Sequence, residues 1–174
     1  MSNILILVTH PNLDASRVCS GFVSALRAEK KYTVHELYKA YPTKEIDIAA
    51  EQSLLLAHDI VVLLFPIYWY SSPSLLKEWQ DVVLSYNFAF GEEGNALVDK
   101  KLVLCCTNGG AATDYSPEGR NKYSLEAFLR PFEATFQYCK MQYEPPFLVY
   151  GTNKLSDDEV LEKAQEFSAL LATK

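Results

Sequence analysis

Short apolar runs that alternate with helical patterns are the feature that most limits what this chain can fold into. The first run, Ile4 to Val8, contains no polar residue. Uninterrupted runs of this length are typical of strands that are buried on both faces of a parallel sheet. Further runs occupy residues 32–37, 60–65, 102–106 and 147–150. The run at 32–37 alternates more between apolar and polar residues, which favours a position at the edge of the sheet.

Between these runs, apolar residues recur with the period of a helix. They predict helices over residues 16–30, 49–58, 74–86 and 121–138, the last of these kinked at Pro131. A final helix begins at Ser156, because Ser156 and Glu159 have the spacing of a capping box. Strict alternation of strand and helix predicts an α/β fold, with a doubly wound five-stranded parallel sheet of order 2-1-3-4-5 in three α/β/α layers. The length fits a single domain spanning residues 1–174.

Composition excludes several classes of function. The net charge of -6 argues against binding nucleic acid through its phosphates. No apolar stretch approaches the roughly 20 residues of a membrane span, and the run at 4–8 is too short for a signal peptide. We therefore expect a cytoplasmic protein. The cysteines have neither C-x-x-C nor zinc-site spacing, so we expect reduced thiols in the core and no metal site. They are Cys19, Cys105, Cys106 and Cys139.

Ligands of open parallel sheets bind beyond the carboxyl ends of the strands. The loop after the first run, residues 9–16, contains His10 and ends in Ser16, where a helix begins. It has neither the glycines of a dinucleotide fingerprint nor those of a nucleoside-triphosphate loop. Ser16 either caps the helix or binds a phosphate at the helix N-terminus, and the residues alone leave both interpretations open.

Two more loops stand at the same edge. After the third run, Tyr68, Trp69 and Tyr70 lie between prolines, which suits a rigid wall for a flat, partly apolar ring. A dimer contact or a small satellite core is the alternative. After the fourth run, Gly109 and Gly110 allow close backbone approach, and their N–H groups can stabilise negative charge on a bound ring. An ordinary turn is the alternative there.

These loops, taken together with three further motifs, resemble a known family. The motifs are Leu-Leu-Lys-Glu-Trp at 75–79, Phe-Ala-Phe-Gly at 88–91 and Phe-Leu-Arg-Pro at 128–131. With them the chain resembles the NAD(P)H:quinone oxidoreductase branch of the flavodoxin-like fold. Within that branch it is similar to bacterial short forms, which include the ancillary subunit of glutathione-regulated potassium efflux systems.

The resemblance implies FMN as the cofactor and a homodimer with its active site at the subunit interface. Its motifs place the FMN phosphate at His10, Ser16, Arg17 and Val18. They place the ring at Pro66, Ile67, Tyr68, Trp69 and Tyr70. They place its pyrimidine side at Thr107, Asn108, Gly109, Gly110 and Tyr115.

The implied reaction is a ping-pong hydride transfer from NADPH or NADH, by way of the flavin, to a quinone, with Tyr115 as the catalytic residue. We expect the dimer to be built partly from the long connection 87–101 and partly from the aromatic segments, with Phe88, Phe90 and Trp79 available as anchors. Two rival functions remain open: a flavodoxin-type electron carrier, and a regulatory subunit of a potassium efflux system that reaches the inner membrane through its partner.

The chain departs from the family pattern at two positions. Cys19 stands where the family often has asparagine, at the phosphate end of the expected site. Asn121 stands where longer members have a histidine that pairs with the tyrosine matching Tyr115. A Tyr–His relay is therefore not expected here, and we expect Tyr115 to act alone or through water.

Overall fold

In the computed structural model, which describes residues 2–174, six parallel strands form one sheet of order β2-β1-β3-β4, with β5 and β6 both on the outer side of β4. The strands are β1 (Ile4–Val8), β2 (Tyr32–Glu36), β3 (Ile60–Pro66), β4 (Lys101–Thr107), β5 (Gln142–Tyr143) and β6 (Phe147–Val149). The predicted order is confirmed. Its fifth position is shared by two short strands because Pro145 and Pro146 lie between them, and proline cannot donate to a strand ladder.

Helices cover both faces of this sheet. They are α1 (Arg17–Ala28), α2 (Leu37–Ala40), α3 (Ile48–Ala57), α4 (Ser74–Val83), α5 (Leu125–Tyr138) and α6 (Asp157–Ala172). The capping box of α6 is present, whereas α5 begins four residues later than expected because the Ser124 side chain accepts the N–H of Ala127. None of the helices among residues 2–174 has both the length and the apolar character that a membrane crossing requires.

Alternation along the central strands divides the core in two. Leu5 and Leu7 of β1 face the side covered by α3, α4 and α5, and Ile6 faces the side covered by α1 and α6. Cys105 and Cys106 of β4 are fully buried on opposite sides in the same way. Because β1 and β3 are buried along their whole length, the three-layer arrangement follows directly from their apolar sequences.

One carboxylate is buried in the layer that contains α3 and α4. Glu51 is 1% exposed and accepts hydrogen bonds from His35 Nε2 (2.7 Å), Tyr41 Oη (2.7 Å) and Trp79 Nε1 (2.8 Å). Burial raises its pKa, but the three donors outweigh burial and hold the pKa of Glu51 below its usual value. Trp79 is itself fully buried, so the expectation that it anchors a dimer is wrong. Its ring packs in the core, and its N–H donates to Glu51 within the same chain.

The Glu51 contacts give a stability prediction. Glu51→Gln replaces an ionised acceptor with a neutral amide and turns an N–H toward another donor, so it should lower the free energy of unfolding by about 2–3 kcal/mol. The contribution of ionised Glu51 should be fully present above its usual pKa and be lost as the pH falls through its lower folded value. Urea unfolding at several pH values measures both effects. Glu162→Gln, the same change on the exposed face of α6, should stay within about 0.5 kcal/mol of the wild type.

Candidate functional site

The carboxyl ends of β1, β3 and β4 open into a cleft of about 520 Å³. Three predicted loops and one further loop, which follows β6, form its walls. The lining residues are His10, Asn12, Ala15, Ser16, Arg17, Val18, Pro66, Ile67, Tyr68, Thr107, Gly109, Thr152 and Asn153. The volume lies within the roughly 300–1,000 Å³ that is usual for small-molecule and cofactor sites.

One end of the cleft is the N-terminus of α1. Ser16 caps this helix, since its Oγ accepts the N–H of Cys19 at 3.3 Å. A first helical turn has no intrahelical acceptors for its N–H groups, so those of Arg17 and Val18 are left for a ligand. The Arg17 guanidinium is held at 3.0 Å from Asp157 Oδ1 and at 3.2 Å from the carbonyl oxygen of Thr152. This end can therefore bind an anion through backbone N–H groups, the helix dipole and an oriented cation.

Cys19 is buried behind this end, next to the lining residues Val18 and Thr107. Its Sγ lies 3.3 Å from Thr107 Oγ1, and both residues are buried. Burial raises the pKa of the Cys19 thiol, so the sulfur is uncharged at neutral pH. It connects α1 to the end of β4 without adding a negative charge beside the anion site.

His10 also lines the cleft. Its Nδ1 accepts the backbone N–H of Asn12 at 3.1 Å, so in the neutral ring the hydrogen is on Nε2. Burial lowers the pKa of His10, which favours this neutral form. The ring also meets Tyr68 edge to face, with centroids 6.4 Å apart.

The aromatic segment after β3 forms a tight two-residue turn. Tyr68 and Ser71 exchange two backbone hydrogen bonds of 3.0 Å, and Trp69 and Tyr70 between them have φ of 47° and 64°. Such turns normally use Asn or Gly, because each other residue at positive φ costs roughly 1–2 kcal/mol. The indole of Trp69 is 93% exposed.

Contacts of Tyr70 hold this turn in place. Its ring packs on Phe128 with centroids 4.8 Å apart, and its Oη donates to Asn121 Oδ1 at 3.2 Å. Asn121, the residue in place of the family histidine, thus serves Tyr70 rather than Tyr115. Strain that is held by surrounding contacts is typical of functional loops.

Asn108 organises the glycine turn after β4. Its Oδ1 accepts the Gly110 N–H at 3.1 Å and the Tyr115 hydroxyl at 3.0 Å, while its Nδ2 donates to the Gly110 carbonyl oxygen at 3.2 Å. A Cβ on Gly110 would lie 3.1 Å from the Tyr115 ring, so glycine is what lets this ring pack against the turn. Burial raises the pKa of Tyr115, and its hydroxyl keeps its proton at neutral pH. Tyr115 therefore has a hydrogen-bond partner within the protein, Asn108, in place of the family histidine.

Sequence comparison supports the flavodoxin-like fold that the strand order indicates. The sequence pattern of the flavodoxin-like fold matches residues 2–171. The chain belongs to this family. Among flavodoxin-like relatives, the uncharacterized NAD(P)H oxidoreductase YrkL of Bacillus subtilis is 42% identical over 161 residues, covering 92% of each chain. The glutathione-regulated potassium-efflux system ancillary protein KefG of Cronobacter sakazakii is 39% identical over 171 residues, which are 98% of this chain and 93% of KefG.

Two solved flavodoxin-like structures superpose well on this one. General stress protein 14 of Treponema denticola, determined in complex with FMN, has a TM-score of 0.95, 42% identity and 98% coverage of both chains. An NADPH-quinone reductase from P. pentosaceus has a TM-score of 0.85 and 33% identity over 95% of this chain and 96% of its own. The resemblance to quinone oxidoreductases that the motifs indicated is confirmed at the level of the family.

The structure brings together most of the residues that the flavodoxin-like motifs singled out. Those that do not line the cleft itself are Trp69, Tyr70, Asn108, Gly110 and Tyr115, which lie on the exposed turn and around the glycine turn. Sequence reasoning missed Asn12, Ala15, Thr152 and Asn153. The last two follow β6, so the rule that sites form at strand carboxyl ends could have found them if the fifth loop had been included.

The turn geometry predicts an unusual effect of one substitution. Trp69→Gly removes the cost of a positive φ and few internal contacts, so it should raise the free energy of unfolding by about 0.5–1 kcal/mol after the greater flexibility of the unfolded chain is subtracted. Trp69→Ala keeps the strained backbone and is the matched control, with little change expected. Urea unfolding of both variants makes the comparison. A destabilised Trp69→Gly variant would contradict the assignment of strain to this turn.

Proposed function

We propose that this protein is an FMN-dependent NAD(P)H:quinone oxidoreductase. The observation that carries the proposal is the cleft at the carboxyl ends of β1, β3 and β4, in a chain whose neighbour of TM-score 0.95 was determined with FMN. Relatives named for NAD(P)H oxidation and a neighbour named for quinone reduction support the two substrate classes.

The donors of the cleft fit the parts of FMN. An anion site with free N–H groups at Arg17 and Val18, beside the Arg17 guanidinium, suits the phosphate. Pro66, Ile67 and Tyr68 offer an apolar wall for the ring. The Gly110 N–H already donates to Asn108 Oδ1, so in the glycine turn it is Gly109, which lines the cleft, that offers its N–H to the polar edge of the ring. When bound, FMN supplies reversible two-electron redox chemistry. The protein positions the substrates and supplies electrostatic stabilisation.

Tyr115 is the proposed catalytic residue. A phenol is protonated at neutral pH, and burial raises the pKa of Tyr115 further. Its hydroxyl can therefore donate a hydrogen bond to the quinone oxygen that becomes negative during reduction. We propose that NAD(P)H and the quinone use this side of the cleft in turn, as a ping-pong enzyme requires. Trp69 on its exposed turn would border the same space.

The cofactor proposal has a direct test. The purified protein should be yellow, and mass spectrometry should identify FMN. It should oxidise NADH or NADPH with a soluble quinone and give parallel double-reciprocal plots. Trp69→Ala should weaken FMN retention without unfolding the protein, because this side chain lies outside the core. A colourless protein that leaves added FMN fluorescence unquenched would overturn the proposal. A yellow protein without quinone turnover would favour the electron-carrier alternative.

Tyr115→Phe tests the catalytic assignment. The ring and its packing remain, so FMN affinity should be close to that of the wild type. Loss of the hydroxyl should lower kcat/KM for the quinone by about 100-fold, and rapid mixing should assign the loss to flavin reoxidation rather than reduction. Tyr123→Phe removes a hydroxyl from an exposed neighbouring ring and should leave both rates unchanged. If Tyr115→Phe also leaves both rates unchanged, Tyr115 is structural.

We also propose a homodimer, now without Trp79 as an anchor. Phe90 of the 87–101 connection is flanked by Tyr86 and Tyr138, with centroids 5.7 and 5.6 Å away, and both tyrosines are mostly exposed. Aromatic side chains of this kind are common anchors of interfaces, which need roughly 1,000 Å² or more to be stable. Light scattering at micromolar concentration should give twice the mass of the chain, and the monomer mass would count against this arrangement.

A regulatory role is the second candidate, and the similarity to KefG over nearly the whole chain favours it. For this role we propose a membrane potassium-efflux protein as the partner. Co-purification from membranes that contain such a transporter tests the idea, and enzymatic turnover is compatible with either result.

A further inference from the structure

The hydroxyl hydrogen of Tyr115 already has an acceptor. A tyrosine has one O–H, and here it donates to Asn108 Oδ1 at 3.0 Å. In this arrangement the phenol oxygen presents only lone pairs to a ligand. Tyr115 can donate to a quinone oxygen, as the proposed function requires, only after its O–H turns away from Asn108.

Asn108 keeps its own position when that happens. Its backbone N–H donates to the Val149 carbonyl oxygen at 2.8 Å, and its side chain keeps both bonds to Gly110. Because Oδ1 still accepts the Gly110 N–H, releasing the tyrosine leaves no buried acceptor without a donor. The release therefore costs one ordinary hydrogen bond and avoids the larger penalty of an unsatisfied polar group.

The other nearby amide is already engaged. Asn121 Oδ1 accepts from Tyr70 Oη at 3.2 Å, so it does not orient Tyr115 in this structure. The Tyr115 ring is fixed by Phe128, with centroids 6.2 Å apart, and by Tyr150, at 5.9 Å. Rotation about the C–O bond of the hydroxyl is the simplest motion that remains.

We propose that Asn108 is the positioning residue for Tyr115. Asn108 accepts the hydroxyl hydrogen of Tyr115 before the quinone binds. As the quinone oxygen becomes negative, the hydroxyl gives up its bond to Asn108 and donates to the quinone oxygen instead. Asn108 touches neither reacting atom and acts through Tyr115. The inference rests on the proposed function, in which Tyr115 is the donor.

A double-mutant cycle tests this coupling. Asn108→Ala removes the hydrogen bond that the hydroxyl must give up, so flavin reoxidation by the quinone should be about fivefold faster than in the wild type. In the Tyr115→Phe background the same substitution should change reoxidation by less than twofold, because there is no hydroxyl to position. An equal change in both backgrounds, or slower reoxidation in the single Asn108→Ala variant, would show that Asn108 does not act by holding the Tyr115 hydroxyl and would overturn the inference. Failure of the proposed function looks different, since Tyr115→Phe alone would then have no effect.

Asn108→Asp keeps the oxygen that accepts from the Gly110 N–H and the Tyr115 hydroxyl and loses only the Nδ2 donor to the Gly110 carbonyl oxygen. It covers the case in which Asn108→Ala disrupts the turn. An ionised carboxylate holds the hydroxyl hydrogen more strongly than an amide does, so reoxidation should slow as the pH rises through the pKa of the introduced carboxyl. Asp114, Arg120, Tyr70 and Tyr150 surround the tyrosine in every variant, so their ionisations are common to all profiles. The new pH dependence should vanish in the Tyr115→Phe background. A profile that matches the wild type, or one that persists without the hydroxyl, would contradict the positioning role.

Discussion

Burial of β1 and β3 on both faces is the constraint on which the rest of this structure depends. Strands without a solvent face must be covered by helices from both sides, and parallel strands require long crossovers that return the chain to the same edge. Every crossover therefore leaves a loop at the carboxyl ends of the strands. The apolar run Ile4–Val8 thus determines the layer arrangement and also where the cleft can form.

Periodicity predicted most of the fold because each strand and helix is decided by nearby residues. The features that periodicity missed depend on contacts between residues that lie far apart in the sequence. Trp79 has the pattern of an ordinary helix-stripe residue, and nothing local indicates that Glu51, 28 positions earlier, accepts its N–H. The division of the last strand position was readable from Pro145 and Pro146, but only once the pairing of β4 with both segments was known.

The candidate site shows the same limit. Loop residues such as Ser16 and Pro66 could be placed because a strand end fixes the loop that follows. The partners of Tyr115 could not be placed in this way. A missing histidine suggested an isolated hydroxyl, whereas the structure supplies Asn108 from the preceding turn. The strain at Trp69 and Tyr70 was equally hidden, because positive φ values are expected at glycine and asparagine rather than at aromatic residues.

The burial of all four cysteines has a chemical consequence for a protein that is proposed to handle quinones. Quinones are electrophiles that add thiolates, and the thiolate is the reactive form of cysteine. Burial raises the pKa of Cys19, Cys105, Cys106 and Cys139, and each sulfur is shielded from solvent. Although Cys19 lies just behind the cleft, it offers an electrophile neither an exposed atom nor a substantial thiolate fraction at neutral pH. The core that supports the fold also protects the chain from arylation by its proposed substrates.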